Sequence, residues 1–308
     1  MRERVTLERE VGLLSPHDSL TSSDSAREWE AGTGGQKVSN TFDVPFRWVC
    51  KLQVEESRAK GWVEMEPATG VLVGPRHVLT AAHALDPYYK KPAGQWRIIV
   101  RPAFDGSRDL GEEISSDVRV SKGWREGKKD VTDPGAYDYG MIILPSDISS
   151  KPRKELKDNP LGHWGHPTLG DKSLFAPLKA EYLEGKSIYC AGYPRGVKRA
   201  MWAGSGMLSY VLLRTGKKIV RRKRGMNHTA LASLGEDARG MSGGPVWLKT
   251  DSSACLVGIN TSISQALIEL EGGKQRKEWR AHAARVTIEF FNEVSEWMKG
   301  RSSSAVSP

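Results

Sequence analysis

From Val44 onward, the sequence repeatedly alternates a short apolar run with a turn signal of glycine or proline. The runs are FRWVCKLQV, GVLVGPRHVLTAA, WRIIV, YGMIIL, SIYCAGYP, MLSYVLL, GPVWLK, CLVGINTSI and ARVTI. Apolar runs of this length, interrupted this often, are typical of β-strands and short for helices. The pattern therefore predicts an all-β fold, either a barrel or a sandwich.

Three segments depart from this pattern and suggest boundaries. Residues 1–43 are polar and rich in Ser, Glu, Arg and Gly, so we expect a flexible N-terminal tail or leader. Residues 146–175 contain few apolar runs and many turn formers, which indicates a connection between two halves, 44–150 and 151–300. Residues 301–308 are again polar, and we expect them to form a disordered tail.

One amphipathic helix is predicted at the end of the second half. In TIEFFNEVSEWMKG, apolar positions recur at helical spacing at Ile288, Phe291, Val294 or Ser295, and Met298. We expect this face of the helix to pack on the β-structure.

The net charge of +9 raises the question of nucleic-acid binding. The clearest basic cluster is KKIVRRKR, residues 217–224. Neither interleaved aromatic residues nor zinc-ligand spacing accompanies it, and basic side chains also protect the edges of strands from pairing. We interpret the cluster as a solvent-exposed strand or hairpin edge and expect no nucleic-acid partner.

The three cysteines, Cys50, Cys190 and Cys255, lie in apolar, strand-like contexts. An odd number without paired spacing argues against a disulfide framework, so buried free thiols are predicted. The sequence has neither an HExxH motif nor a cluster of His and Cys at ligand spacing, so we expect no metal and no other cofactor.

No membrane association is predicted from the apolar runs. The longest, such as MIIL at 141–144 and YVLL at 210–213, are far shorter than the roughly 20 residues that span a bilayer. The first 20 residues carry charges but lack the apolar core of a secretory signal. A cytoplasmic location and export by another route both remain open.

Three short motifs carry chemistry. The run GVLVGPRHVLTAAHAL places His83 after an apolar strand, AYDYGMIIL places Asp138 before one, and GMSGGPV places Ser242 on a glycine turn. A serine nucleophile needs a base, a carboxylate that orients the base, and N–H donors for the oxyanion. Taken singly, each residue has an ordinary interpretation as a turn, cap or structural residue. Their conjunction at strand ends favours a catalytic triad.

These motifs resemble those of the chymotrypsin-like serine peptidases, and most closely the bacterial V8-like, glutamyl endopeptidase-like branch. The resemblance runs from about Val44 to the final helix. It implies two antiparallel six-stranded β-barrels, residues 44–150 and 151–300, with the C-terminal helix in the second unit. It also implies that the substrate is a polypeptide, cleaved without a cofactor in the cleft between the barrels.

The resemblance assigns roles to individual residues. His83 is the expected general base, Asp138 orients it, and Ser242 is the nucleophile, with the oxyanion held by the backbone N–H groups of Gly240 and Ser242. Met241 replaces the aspartate that pairs with a new N-terminal amine in the digestive relatives. We therefore expect packing and hydrogen bonds, rather than an ion pair, to hold this turn.

The resemblance places the substrate pocket at five residues, with its floor upstream of the nucleophile and its wall on the following strand. They are Glu236, Asp237, Asn260, Thr261 and Ser262. Glutamate-specific relatives carry a histidine where this chain has Asn260. Together with the two carboxylates, this favours a basic over an acidic P1 residue. The carboxylates could instead face outward or pair with Arg239.

A second function class stays open from the sequence. A degenerate peptidase fold can act as a binding or regulatory module, and the intact His, Asp and Ser motifs are the feature that argues against it. We expect the protein to act as a monomer.

Overall fold

A computed structural model describes most of the chain, with gaps near the termini and in several loops. The described residues are 35–106, 110–127, 135–165, 173–183, 185–195, 200–209, 212–215, 218–221, 225–228, 230, 238–249, 254–269 and 275–300. The architecture is mostly β, with two closed sheets and few helices. The predicted all-β class is confirmed.

The N-terminal part contains eleven described strands. In chain order they are β1 (Gln36–Lys37), β2 (Val49–Arg58), β3 (Gly61–Glu64), β4 (Ala68–Gly74), β5 (His77–Thr80), β6 (Trp96–Pro102), β7 (Glu113–Ser115), β8 (Asp117–Val120), β9 (Gly140–Ile143), β10 (Pro152–Arg153) and β11 (Asn159–Pro160). Two short helices lie among them, α1 (Ala82–Leu85) and α2 (Lys122–Arg125). Single turns of 3-10 helix cover Phe46–Trp48 and Lys154–Leu156. Of the strands, β4, β5 and β9 are buried throughout.

The C-terminal part continues the series and includes the longest strands and the longest helix. Its strands are β12 (Ser173–Phe175), β13 (Ser187–Gly192), β14 (Trp202–Ser209), β15 (Leu212–Thr215), β16 (Lys218–Arg221), β17 (Gly225–His228), β18 (Pro245–Lys249), β19 (Ala254–Glu269) and β20 (Gln275–Arg285). Its helices are α3 (Ala180–Leu183) and α4 (Ile288–Met298).

The first sheet closes on itself through one bent strand. Its antiparallel order is β7-β6-β2-β4-β5-β9-β8, and β3 adds to β2 as a hairpin. Only Ser116 separates β7 from β8, so these two behave as one strand that pairs with β6 at one end and β9 at the other. The Ser115 hydroxyl donates to the carbonyl of Ile143 at 2.6 Å, at the point where the strand bends. Counted in this way, the first barrel has the expected six strands.

The second sheet closes through the pairing of β14 with β17. The antiparallel cycle is β14-β13-β18-β19-β20-β17, which again gives six strands. One pairing departs from the antiparallel expectation, because β12 lies parallel to β19 on the outside of the cycle. The two-barrel architecture implied by the sequence is therefore confirmed, with one parallel addition.

Residues 35–43 differ from the expected tail. β1 pairs antiparallel with β14, Val38 is only 4% exposed, and the Thr41 hydroxyl donates to the carbonyl of Ala103 at 2.6 Å. The sequence pattern does not indicate this packing, because the segment is short and polar. The expectations for residues 1–34 and 301–308 lie outside the described residues.

The segment that was predicted to connect the halves contains an anchor between them. Trp164 is fully buried, its backbone N–H donates to the carbonyl of Leu72 at 2.9 Å, and its indole N–H donates to that of Ala254 at 3.0 Å. Its ring lies against Trp48 on one side and Trp247 on the other, with centroids 5.6 and 5.7 Å away. The connection thus contributes to the core that both barrels share.

The C-terminal helix is confirmed, and most of its predicted apolar face lies on the core: Val294 is buried, and Phe291 and Met298 pack against the core half-buried. α4 buries Phe290, Val294 and Trp297, whereas Ile288 is 62% exposed. The apolar stripe of this helix is broad, and a stacked contact between Phe290 and Tyr139, with centroids 4.0 Å apart, fixes which side turns inward. Tyr139 precedes β9, so α4 packs on the first barrel although it follows the second in sequence.

The basic segment and the cysteines fold as the sequence predicts where they are described. Residues 218–221 form one strand of the separate β15–β16 hairpin, while 217 and 222–224 lie outside the described residues. All three cysteines are free and buried. Among the described helices, none has the length and apolar character to cross a membrane.

Candidate active site

His83 and Asp138 form a pair joined by two hydrogen bonds. β5 ends at Thr80, the chain turns into α1, and the backbone N–H of His83 donates to Asp138 Oδ1 at 2.8 Å. Nδ1 of the His83 ring lies 2.7 Å from Asp138 Oδ2. Because a carboxylate can only accept, Nδ1 carries the proton and Nε2 is left with its lone pair. The Asp138 side chain is 8% exposed and that of His83 39%, so the base can be reached from solvent.

The environment of His83 shifts its basicity in two opposing directions. Burial lowers the pKa of His83, but the hydrogen bond and the negative charge of Asp138 raise it by more. The net effect is a pKa above the ordinary value of the imidazole. A stronger base is a better proton acceptor, but it is occupied by a proton up to a higher pH.

The turn that carries Ser242 lies directly against the first barrel. Gly243 has φ +85°, and a Cβ built on it would lie 2.8 Å from the backbone N of Ala81 and still closer to Thr69 O and Thr80 Oγ1. Thr80 ends β5 and Ala81 follows it, two residues before His83, while Thr69 lies near the start of β4. The close approach of two backbones explains the glycine and brings the serine turn beside α1.

Thr69 links the two barrels at this point. Its backbone N–H donates to the carbonyl of Ser242 at 2.9 Å, and its hydroxyl donates to the carbonyl of Gly240 at 2.8 Å. The same hydroxyl accepts the N–H of Tyr193 at 2.9 Å. Sequence reasoning missed Thr69, because a threonine in the run ATGVLVG has no pattern that distinguishes it from an ordinary strand residue.

The N–H groups of Gly240 and Ser242 are available to a ligand. Gly240 has φ +93°, and the N–H of Met241 between them donates to the carbonyl of Ala238 at 3.1 Å. Within the described part of the chain, the N–H groups of Gly240 and Ser242 donate to no acceptor. Both residues are half-buried. Paired donors of this kind are what a developing oxyanion requires.

Packing and hydrogen bonding hold Met241, as its apolar side chain led us to expect. The residue is 1% exposed, within the core of the second barrel, and its carbonyl accepts the N–H of Gly244 at 3.0 Å. The N–H of Gly243 in turn donates to the carbonyl of Asn260 at 2.7 Å, and Asn260 N–H donates to that of Gly244 at 2.8 Å. Backbone contacts therefore bracket the serine on both sides.

The Ser242 hydroxyl does not use His83 as its hydrogen-bond partner in this conformation. It donates instead to the carbonyl of Thr261 at 3.3 Å, a long bond that costs little to break.

The expected pocket residues divide into three groups. Glu236 and Asp237 lie outside the described residues. Asn260 is 2% exposed and its Oδ1 lies 2.8 Å from Nε2 of the fully buried His228, inside the barrel. Thr261 is 3% exposed and its hydroxyl donates to the carbonyl of His282 at 3.1 Å, whereas Ser262 is exposed.

The pair formed by His228 and Asn260 is neutral. Burial lowers the pKa of His228 to about 4, against the raising effect of Asn260. His228 Nδ1 and Asn260 Nδ2 are buried and lack a hydrogen-bond partner among the described residues. No spacing among the histidines of the sequence indicates that His228 lies beneath this strand.

A cleft of about 960 Å³ opens on the other side of the serine turn. Its floor is aromatic, with Phe104 and Tyr193 at a centroid distance of 6.4 Å. An ion pair of 2.6 Å between Arg195 and Glu66 joins the two barrels at its wall. Arg195 N–H also donates to the carbonyl of Arg239, the residue before Gly240, so one lining residue of the cleft is tied to the serine turn.

A comparison with protein families identifies the family of the chain. The sequence profile described as the trypsin-like peptidase domain matches residues 68–259, more than half of the 308-residue chain. A search of curated protein sequences found no match.

Solved structures share the fold at low sequence identity. A Glu endopeptidase in complex with MPD has a TM-score of 0.52 at 18% identity, covering 88% of this chain and 99% of its own. An inactivated protease paralogue of the scabies mite has a TM-score of 0.52 at 14% identity, covering 88% and 100%. The thermostable serine protease AL20 of an extremophilic microorganism has a TM-score of 0.50 at 13% identity, covering 83% and 98%.

Proposed function

The chain belongs to the trypsin-like peptidase domain family, and from this premise we propose the mechanism by which it acts as a serine endopeptidase. Ser242 is the nucleophile, His83 is the general base and Asp138 orients the base. The N–H groups of Gly240 and Ser242 bind the oxyanion. The single observation that carries this proposal is the doubly hydrogen-bonded pair of His83 and Asp138 beside a serine turn with two N–H groups that have no acceptor among the described residues.

The first chemical step forms an acyl-enzyme. The Ser242 hydroxyl turns from Thr261 to His83, Oγ attacks the carbonyl carbon of the peptide, and its proton moves to His83 Nε2. The carbonyl oxygen becomes an oxyanion at the two N–H groups. When the tetrahedral intermediate collapses, the C–N bond breaks and the amine leaves with the proton from Nε2. Water then repeats the sequence on the ester and restores Ser242.

The cleft next to the N–H pair is proposed to bind the part of the substrate that leaves as the amine. It starts at Arg195, beside Gly240, and its volume of about 960 Å³ accommodates several residues.

A basic P1 residue is the proposed preference on the other side of the scissile bond. The proposal depends on Glu236 and Asp237 facing the pocket. A carboxylate in a cleft of reduced dielectric changes selectivity by a few kcal/mol, on the order of a hundredfold in kcat/KM. Matched substrates that differ only at P1 test this. Efficient cleavage after Glu contradicts it, and cleavage after small or apolar residues shows that the carboxylates face away.

Labelling with a fluorophosphonate tests the nucleophile directly. The wild type and a Ser150→Ala control, which changes an exposed serine far from the turn in sequence, should both react and cleave a peptide library. Ser242→Ala should do neither while keeping its thermal stability. If the wild type neither reacts nor cleaves, the chain is a binding or regulatory module on a peptidase fold. Labelling that survives in Ser242→Ala places the nucleophile elsewhere.

A further inference from the structure

We propose that the C-terminal helix α4 positions the catalytic pair, and that Glu293 is the residue through which it acts. The inference rests on the proposed roles of His83 and Asp138. It concerns a helix that lies at the opposite end of the sequence from both residues and touches neither of them directly.

Helix α4 contacts the residue that follows Asp138. The hydroxyl of Tyr139 donates to Glu293 Oε2 at 2.7 Å, and its ring stacks on Phe290 with a 10° angle between the planes. Tyr139 is 1% exposed. Burial, followed by the charges of Glu293 and Glu289, raises the pKa of Tyr139 far above its usual range, so the hydroxyl stays a donor.

Glu293 uses both of its carboxylate oxygens. Oε1 accepts the backbone N–H of Lys122 at 2.8 Å, at the first residue of α2. Ser121, the residue before Lys122, also contacts the segment that contains Asp138. Its N–H donates to the carbonyl of Tyr139 at 3.1 Å and its hydroxyl to that of Tyr137 at 2.5 Å.

The resulting bridge constrains the backbone around Asp138. One carboxylate joins α4, the start of α2 and the Tyr139 side chain, while Ser121 fixes the carbonyls of Tyr137 and Tyr139. Asp138 lies between these two residues and has to meet two donors of His83 at 2.7 and 2.8 Å. A displacement of about 1 Å in such a constellation can cost on the order of 100-fold in rate.

The competing explanation is that α4 only adds apolar contacts to the core. Phe290, Val294 and Trp297 are buried and would stabilise the fold without any influence on the site. Glu293 separates the two explanations, because it contributes polar contacts at the Asp138 segment and little apolar area.

Three substitutions and one matched control test the proposal. Glu293→Ala removes both acceptors, Tyr139→Phe removes the donor, and Glu293→Gln keeps one acceptor oxygen. The control is Glu296→Ala on the same helix, whose partner is the exposed Lys299 at 3.3 Å. Rates are expressed per active site, counted by fluorophosphonate titration, so that a loss of folded protein does not enter kcat.

We expect Glu293→Ala to lower kcat roughly 10- to 100-fold with KM within about twofold, and to move the acid limb of the pH profile to lower pH. The limb moves because a looser contact with Asp138 raises the pKa of His83 less. Glu293→Gln should recover part of kcat, Tyr139→Phe should resemble Glu293→Ala, and the control should match the wild type. If Glu293→Ala matches the control in kcat and pH limb while its Tm falls, α4 only stabilises the fold.

Proton NMR keeps this test independent of activity. The proton on His83 Nδ1, shared with Asp138, should give a downfield resonance in the wild type. It should shift upfield or broaden in Glu293→Ala and stay unchanged in Glu296→Ala. An unchanged resonance in Glu293→Ala overturns the positioning role. Absent peptidase activity with an altered resonance would instead sink the proposed function and leave the positioning role standing.

Discussion

The two barrels build their halves of the site in different ways. The first supplies side chains, with His83 and Asp138 joined through a ring nitrogen and a carboxylate. The second supplies the Ser242 hydroxyl on a turn of close-packed glycines, and the backbone N–H groups of Gly240 and Ser242 on the same turn. One half depends on charge and protonation, and the other on the space between two backbones.

This difference predicts different sensitivities. A half made from titrating side chains responds to pH and to the loss of single functional groups. The glycine turn of the second barrel is sensitive instead to packing. Any substitution that adds a Cβ between the two barrels should displace the turn, whatever the chemistry of the added side chain. Each half can therefore be challenged by a change that leaves the other intact.

The largest effect is expected when either of the two reacting side chains is removed. Ser242→Ala and His83→Ala should each lower kcat on the order of 10⁶-fold, and the double variant should lose little more, because the nucleophile and base act as a unit. Single-turnover kinetics on one peptide substrate measures all three. Losses that multiply in the double variant would show that the halves act independently.

A smaller but clear effect is expected from a methyl group at the contact between barrels. Gly243→Ala adds a Cβ where Ala81 N would be 2.8 Å away, at a φ of +85°. We expect kcat/KM to fall on the order of 100-fold, together with strain of about 1–3 kcal/mol in the free energy of unfolding.

Gly94→Ala is the matched control for this change. Gly94 has φ +87°, and a Cβ built on it would have no atom within 4 Å. An alanine there therefore introduces the same backbone strain as at Gly243 but no contact with a neighbouring backbone. Both variants should lose stability, and only Gly243→Ala should lose activity. Equal activities would refute the view that backbone spacing sets the second half.

The pH profile tests the side-chain half alone. Since Asp138 raises the pKa of His83, the acid limb of kcat/KM should have its midpoint above 6.5, with activity lost as pH falls through it. Stability should respond in the opposite sense. Protonated His83 contributes fully to the free energy of unfolding at any pH below the pKa that His83 has in the unfolded chain. This contribution is lost as the pH rises through the higher pKa that His83 has in the folded protein.

The pH dependence of kcat/KM is measured by kinetics on the wild type. The pH dependence of stability is measured by denaturation of Ser242→Ala, because this variant cannot digest itself under the proposed mechanism. An acid limb centred below 6.5 would show that burial of His83 outweighs the effect of Asp138.

The smallest effect on activity is expected at the N-terminus, where the second barrel receives an extra strand. Deletion of residues 1–43 removes β1 and the buried contacts of Val38 and Thr41, and should cost about 3 kcal/mol relative to deletion of residues 1–34. Activity per active site should be equal in both. Identical Tm values would instead support a tail that extends through residue 43.

The sequence was informative where the signal is local. Strand patterning predicted both barrels, because alternation and turn residues act over a few positions. The candidate triad was accessible for a related reason, since each of its residues occupies a recognisable strand end. His83 and Asp138 do meet at 2.7 Å in the structure, while their roles and that of Ser242 remain predictions.

Features that depend on distant partners were not accessible. Thr69 reaches Gly240 across 171 residues, and Tyr139 reaches Glu293 across 154. Periodicity predicted Val294 on the buried face of α4 but missed Phe290 and Trp297, whose rings contact Tyr139. Asn260 shows the same limit, because its side chain follows His228 into the barrel rather than the pocket that its position suggested.

The packing of α4 on the first barrel also bears on how the protein is made. A ribosome adds about 5–20 residues per second, so the 154 residues between Tyr139 and Glu293 take roughly 8–30 s to synthesise. During that interval the growing chain already contains His83 and Asp138, and later Ser242, without the last helix that covers Tyr139. Helix α4 thus joins the first barrel only after the strands of the second barrel have been synthesised, so the contacts of Tyr139 with Phe290 and Glu293 form later than the strand pairings around Tyr139.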